Sequence, residues 1–81
     1  MRVRILFFAQ LKDLFGEGER AVEVREGTSA GELVELLLRE LGRGGLNASS
    51  VRYAVNEKFE VYHTELHQDD ALALIPPVSG G

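Results

Sequence analysis

Thr28-Ser29-Ala30-Gly31-Glu32-Leu33-Val34-Glu35-Leu36-Leu37-Leu38-Arg39-Glu40-Leu41-Gly42 is the stretch on which the fold turns. Ser29 followed three residues later by Glu32 is a capping box: the serine oxygen accepts the Glu32 amide and the glutamate reaches back to the serine amide. Thr28 is a competing cap one residue earlier. Ala30, Leu33, Leu37 and Leu41 recur at helical spacing, Val34, Leu36 and Leu38 widen the apolar face, and Glu35, Arg39 and Glu40 take the polar side. Gly42 supplies the stop. The spacing predicts a helix over 30–41 with Leu33 and Leu37 buried. An apolar helix face of this width has to be covered by a sheet.

The flanking sequence supplies strands. Upstream, Val3, Ile5 and Phe7 alternate with Arg2, Arg4, Leu6 and Phe8, a first strand over 3–8 that becomes apolar on both faces toward its end. In "AQLKDLFG", Leu11, Leu14 and Phe15 fit one side of a short helix that Gly16 ends. "GEGER" turns into "RAVEV", with Val22 and Val24 inward and Ala21 and Glu23 outward, to pair antiparallel with the first strand. Downstream of the helix, "GRGGLNASS" is a loop and "VRYAV" a strand with Val51, Tyr53 and Val55 on one side. "NEK" is a tight turn into a strand "FEVY", and "TELHQDD" a longer turn. The nearly continuous apolar run of "ALALI" predicts an interior strand buried on both faces.

The order β-α-β-α-β-β-β, with one main helix after an N-terminal hairpin, is that of an α+β, β-grasp (ubiquitin-like) fold. We expect a small mixed sheet crossed by one main helix, with 3–8 parallel to 71–75. Residues 1–75 form the domain and 76–81 an extended C-terminal diglycine tail.

Composition removes several functional classes. The 81 residues hold 13 acidic against nine basic side chains, a net charge of −4, so the basic patch that nucleic acid needs is missing. With no cysteine, disulfides, thiolate metal sites and a thiol nucleophile are excluded. The apolar run after Met1 is short and lacks a small-residue cleavage site, and no run is long enough to span a bilayer. A cytoplasmic protein with no membrane partner is expected.

His63 and His67 have H-x-x-x-H spacing, but Thr64 stands where a zinc protease needs glutamate, and no third ligand is evident. We read them as surface histidines and expect no metal. Asp69 and Asp70 suit a turn. The "GEG" at 16–18 and "GRGG" at 42–45 lack the lysine and the strand-to-helix setting of phosphate loops. Ser49 and Ser50 have no base in pattern. No internal active site and no bound cofactor is expected.

The remaining chemistry lies in "IPPVSGG", residues 75–81. Pro76 and Pro77 donate no backbone hydrogen bond and keep the chain extended. The six residues from Pro76 reach at most about 20 Å. Gly80 and Gly81 lack a Cβ, so the backbone can pass through a channel too narrow for side chains.

With these elements in place the sequence resembles a known family, the small subunits of molybdopterin synthase, the MoaD type of the ubiquitin-like sulfur carriers. "ILFFAQLKDLFG" is similar to that family's opening strand and short helix, "AVNEKF" to its asparagine-centred turn, and "LHQDDALALIPPVSGG" to its acidic turn, last strand and tail. One departure is Ile75, where an aromatic residue often precedes the prolines.

The resemblance implies a carrier and not a free-standing enzyme. Gly81 would be adenylated by an ATP-dependent, E1-like activating enzyme and given sulfur by a sulfur donor to form a thiocarboxylate. That sulfur would then pass to the pyranopterin precursor in the large catalytic subunit, building the molybdopterin dithiolene. Gly80, Ser79 and Val78 would give the tail clearance. Phe8, Phe59 and Ile75 are candidates for partner docking, although each also suits plain core, and core is the expected place of Phe8. A thiamin-type sulfur carrier, a ubiquitin-like modifier using the same Gly81 chemistry and an inert β-grasp interaction module stay open as alternatives. Thiamin-type carriers tend to lack the helix implied by "AQLKDLFG".

Overall fold

A computed structural model describes residues 1–41 and 51–76. Alternation along β1 (Arg2–Phe7) buries Val3, Ile5 and Phe7 and leaves Arg2 and Arg4 exposed. A short helix α1 (Gln10–Phe15) follows and ends at Gly16, whose φ of 78° is the left-handed conformation that glycine adopts without a Cβ clash. The chain returns as β2 (Glu19–Glu23), antiparallel to β1 with Val3 opposite Val22.

Helix α2 (Ala30–Leu41) has the bounds that its spacing predicts, and Leu33 and Leu37 are buried. The capping box is formed: the Ser29 amide donates to Glu32 Oε1 at 2.8 Å and the Glu32 amide to Ser29 Oγ at 3.2 Å. Caps of this kind are worth about 1 kcal/mol. Thr28 does not compete, because its hydroxyl donates to the Arg25 carbonyl. Leu36 departs from expectation and is exposed. At about 100° per residue it points roughly 130° from the centre of the stripe made by Ala30, Leu33, Val34, Leu37 and Leu38. One sheet covers only one side of a helix.

The remaining strands are β3 (Arg52–Val55), β4 (Lys58–Phe59) and β5 (Ala71–Ile75), in a five-stranded sheet of order β2-β1-β5-β3-β4. β1 and β5 are parallel, as predicted, and lie inside the sheet; their register sets Ile5 beside Leu72 and Phe7 beside Leu74. The β3–β4 turn at Asn56 and Glu57 has φ of 51° and 70°, the positive pair that suits a two-residue hairpin. Val3, Ile5, Phe7, Tyr53, Val55, Leu72 and Leu74 meet the α2 stripe, with Leu11 and Leu66 closing the core. Arg20 ties the far end of α2 to this core. It donates to Glu17 at 2.7 Å and Glu40 at 2.8 Å while its guanidinium lies 5.7 and 5.5 Å from the ring centres of Phe7 and Phe15.

Two further expectations are corrected. "FEVY" is not a full strand, for β4 stops at Phe59 and Val61 is exposed. Beyond Glu60 the chain turns toward α2 and uses its carbonyls there: Gly31 N–H donates to Tyr62 O at 2.9 Å and Ala30 N–H to Thr64 O at 2.8 Å. These satisfy amides that a helix leaves unpaired in its first turn. The other correction is that β5 is not buried on both faces. Leu72 and Leu74 are fully buried, whereas Ala71, Ala73 and Ile75 are only partly covered, because α2 packs on one side of the sheet.

Candidate docking face and tail root

The uncovered side of the sheet follows from the same register. Leu6 lies beside Ala73, Ala73 opposite Ala54, and Ala54 opposite Phe59, so one row of the pleat runs Leu6–Ala73–Ala54–Phe59. The next row toward the tail sets Ile75 opposite Arg52. Alanines at 54, 71 and 73 leave the middle of this face low, while Phe8, Phe59 and Ile75 stand around it. The result is a groove of about 520 Å³, with Arg4, Asn56 and Glu57 on its polar margin.

Phe8 is about half exposed and Phe59 more so, at 48% and 58%. The expectation that Phe8 is core is therefore wrong. β1 ends at Phe7, and Phe8 belongs to the uncovered face. The three docking candidates, Phe8, Phe59 and Ile75, come together on one groove. Sequence reading missed its floor. The signal that could have found it is the small-large alternation of Ala71-Leu72-Ala73-Leu74, in which the small residues share a face.

Asn56 and Asp70 fix the entrance to β5. Asn56 Nδ2 donates to Asp70 Oδ1 at 2.9 Å, and Ala71 N–H donates to Asn56 Oδ1 at 3.0 Å. Asp70 Oδ2 also accepts the His67 amide at 2.7 Å, so this aspartate serves the turn. His63 and His67 are exposed, and the His67 ring lies 3.8 Å from Glu65 and from Asp70. Among the described residues no group of three His, Cys, Asp or Glu is placed to hold a metal ion. No described helix is long and apolar enough to cross a membrane.

A second polar cluster stands at the start of α2, on the opposite side of the molecule's sheet. The Tyr62 hydroxyl donates to Glu35, and its ring lies on Gly31, where an added Cβ would be 2.0 Å from a ring carbon. The hydrogen bond to Glu35 is the main reason that the Tyr62 phenol is pushed up to about 12. Burial, then the charge of Glu35, pushes the Tyr53 phenol upward. Neither phenol faces the groove.

The sheet delivers the chain to the tail at Ile75 and Pro76. Gly81, Gly80, Ser79 and Val78 lie outside the described residues, as do Gly42 and the 42–50 loop.

The ThiS family model matches residues 5–81. The chain belongs to the ThiS family. The molybdopterin synthase sulfur carrier subunit of Mycobacterium tuberculosis is 34% identical over 82 residues, which cover 100% of this chain and 99% of that relative. Among solved structures, the putative molybdopterin converting factor subunit 1 of Pyrococcus furiosus matches this ThiS-family chain with a TM-score of 0.80. It is 26% identical, over 96% of this chain and 99% of that one. A protein–protein complex of subunits 1 and 2 of molybdopterin-converting factor from Helicobacter pylori contains a chain 26% identical with a TM-score of 0.67, covering 100% of both. With the mixed sheet and its crossing helix, these matches make the fold a β-grasp.

Proposed function

We propose that this ThiS-family chain is the sulfur-carrier subunit of a molybdopterin synthase, acting in molybdenum cofactor biosynthesis. The observation that carries the reading is the end-to-end match to the Mycobacterium tuberculosis carrier subunit. In this reading the chain supplies no catalytic side chain. Its reactive group is the carboxylate of Gly81, which is a poor electrophile until one oxygen becomes a good leaving group. An ATP-dependent, E1-like enzyme converts it to the acyl adenylate and releases pyrophosphate; ATP belongs to that enzyme and not to this chain. Sulfide-level sulfur released by a sulfur donor then attacks the acyl carbon and displaces AMP, leaving a thiocarboxylate. In the large subunit that sulfur attacks the pyranopterin precursor and forms a C–S bond. Hydrolysis of the acyl–sulfur bond releases Gly81 as a carboxylate, and two such deliveries complete the dithiolene.

The residues of this chain divide the work of presenting that group. Gly80 and Gly81 let the backbone enter a narrow site, and Ser79 and Val78 are the small residues behind them. Pro76 and Pro77 keep the chain from returning to the sheet. The groove of Phe8, Phe59 and Ile75, beside the root of the tail, receives the large subunit; exposed apolar patches of this kind mark interaction sites. The working compartment is the cytoplasm.

The test appends one alanine after Gly81. This moves the carboxyl group outward by roughly 3.5 Å, and displacements near 1 Å already cost about a hundredfold in a positioned reaction. In an assay reconstituted with activating enzyme, sulfur donor, large subunit and precursor, molybdopterin formation should fall at least that far. The thermal melt should match the parent. Gly81→Ala, which keeps the carboxyl in place, should do less harm. Molybdopterin formation by the extended protein at the parent rate overturns the proposal.

A further inference from the structure

Four arginines stand on the described strands, and three of them face carboxylates. Arg2 lies 3.9 Å from Glu23, Arg4 3.7 Å from Glu19, and Arg20 2.7 and 2.8 Å from Glu17 and Glu40. Arg52 is different. It has no ion-pair partner among the described residues, and its guanidinium instead lies over the Phe59 ring, 4.5 Å from the centroid. This cation–π contact restrains the guanidinium, and no described carboxylate takes up its N–H donors.

The position gives this cation a use. Arg52 pairs in register with Ile75, the last strand residue before the tail. Its ring partner, Phe59, is also a wall of the apolar groove. The charge is thus held where the groove meets the tail root, on a chain whose net charge is −4. A neutral apolar partner would have to strip water from the guanidinium without replacing its hydrogen bonds, which is costly. A partner that brings a carboxylate next to its apolar contact satisfies both.

We propose that Arg52 is a specificity-determining residue of the docking face. Held over Phe59, it forms a forked pair with a carboxylate of the large subunit, set beside the apolar segment that fills the groove. This rests on the carrier reading above. The groove alone tolerates sliding, since apolar contact is non-directional. A bidentate arginine–carboxylate pair has a fixed geometry, and so sets the direction in which the tail leaves toward the partner.

Calorimetric titration of the full chain against the large subunit, at low and high salt, tests this with Arg52→Met and Arg52→Lys. Methionine keeps an apolar stem over Phe59 and removes the charge. Loss of one member of a desolvated charge pair should weaken binding at least about tenfold at low salt and flatten the salt dependence. Lysine should restore the salt dependence but only part of the affinity, because it lacks the fork. Melting temperatures near the parent's would confine the effect to docking. If Arg52→Met binds within about twofold of the parent with an unchanged salt response, Arg52 is not a docking determinant, whatever the parent's sulfur delivery shows. If the parent chain itself neither binds the large subunit nor delivers sulfur, the carrier reading falls and this inference with it.

Discussion

The two faces of one sheet are made from the same strands and differ in almost everything else. On the helix side, Ile5, Leu72 and Leu74 are fully buried and Phe7, Tyr53 and Val55 nearly so. On the other side, residues that alternate with them leave a groove: Leu6, Ala54, Ala71 and Ala73 low, Phe8, Phe59 and Ile75 high. Large branched side chains on one side fill the space under α2. Alanines on the other side create space, and nothing in the chain's described residues fills it. A strand that is apolar on both faces therefore need not be buried on both. One face can be core while the other is kept for a partner.

The two faces should differ most under a pair of substitutions, one on β5 beneath the helix and one on β4 at the groove. Leu74→Ala removes a fully buried side chain from under the helix and should cost about 2–5 kcal/mol, read as a fall in the denaturant midpoint at constant slope. Were Leu74→Ala to melt with the parent, the helix side would not be the core. On the groove side, Phe59→Ala should change stability by no more than about 1 kcal/mol, because the ring is 58% exposed. It should nonetheless weaken docking to the large subunit by about 2 kcal/mol, near thirtyfold, as loss of an aromatic anchor does. An unchanged affinity would remove the groove from the interface.

What is legible in the sequence divides along the same line. The helix is local: capping box, period and bounds all sit within Ser29 to Leu41, and the structure keeps each of them. The apolar runs of β1 and β5 place both strands inside the sheet, as found, while their parallel pairing is expected only from the β-grasp order of elements. Errors came where one residue's fate depended on what covers it. Phe8 and Leu36 are as hydrophobic as core residues, and only the placement of a single helix on a single face leaves them outside. "FEVY" alternates like a strand, yet its second half is drawn off to cap α2, a contact that no local pattern announces. At the candidate site, Phe8, Phe59 and Ile75 could be named, but the alanine floor and Arg52 needed the register. The reactive carboxyl proposed at Gly81 has no side-chain pattern at all, so it is legible only as a motif.

The helix side can be sharpened where the loop, not the sheet, meets α2. Gly31 is buried, and a Cβ there would come within 2.0–2.5 Å of three atoms of the Tyr62 ring. Gly31→Ala should thus destabilise by about 1–3 kcal/mol, despite the better helix propensity of alanine. Tyr62→Ala in the same chain should return part of that loss, a non-additivity expected of residues in contact. If Gly31→Ala stabilises the protein by the usual helix gain, Tyr62 does not sit against the helix.

The smallest effect concerns the same tyrosine and is read by pH. Its hydroxyl donates to Glu35, and that hydrogen bond, with lesser contributions from desolvation and the charges of Glu35 and Glu32, pushes the phenol from 10.0 up to about 12. Ionisation would remove the shared proton and set a phenolate against a carboxylate. Because the folded value lies above the unfolded one, the stabilisation from this contact is fully present below about pH 10. It is then lost as the pH rises toward about 12. The chain has two tyrosines, so Tyr53→Phe isolates the signal. In that background the ultraviolet absorbance of the phenolate should rise near pH 12, and Glu35→Gln should move the midpoint down toward 10, since the neutral amide removes both the charge and the stronger acceptor. Docking through the groove at neutral pH should be the same in both proteins, because Tyr62 and Glu35 belong to the helix side. A midpoint near 10 in both would mean that the loop after β4 is not latched to α2 through Glu35. The cover of the helix start would then rest on the backbone bonds of Ala30 and Gly31 alone.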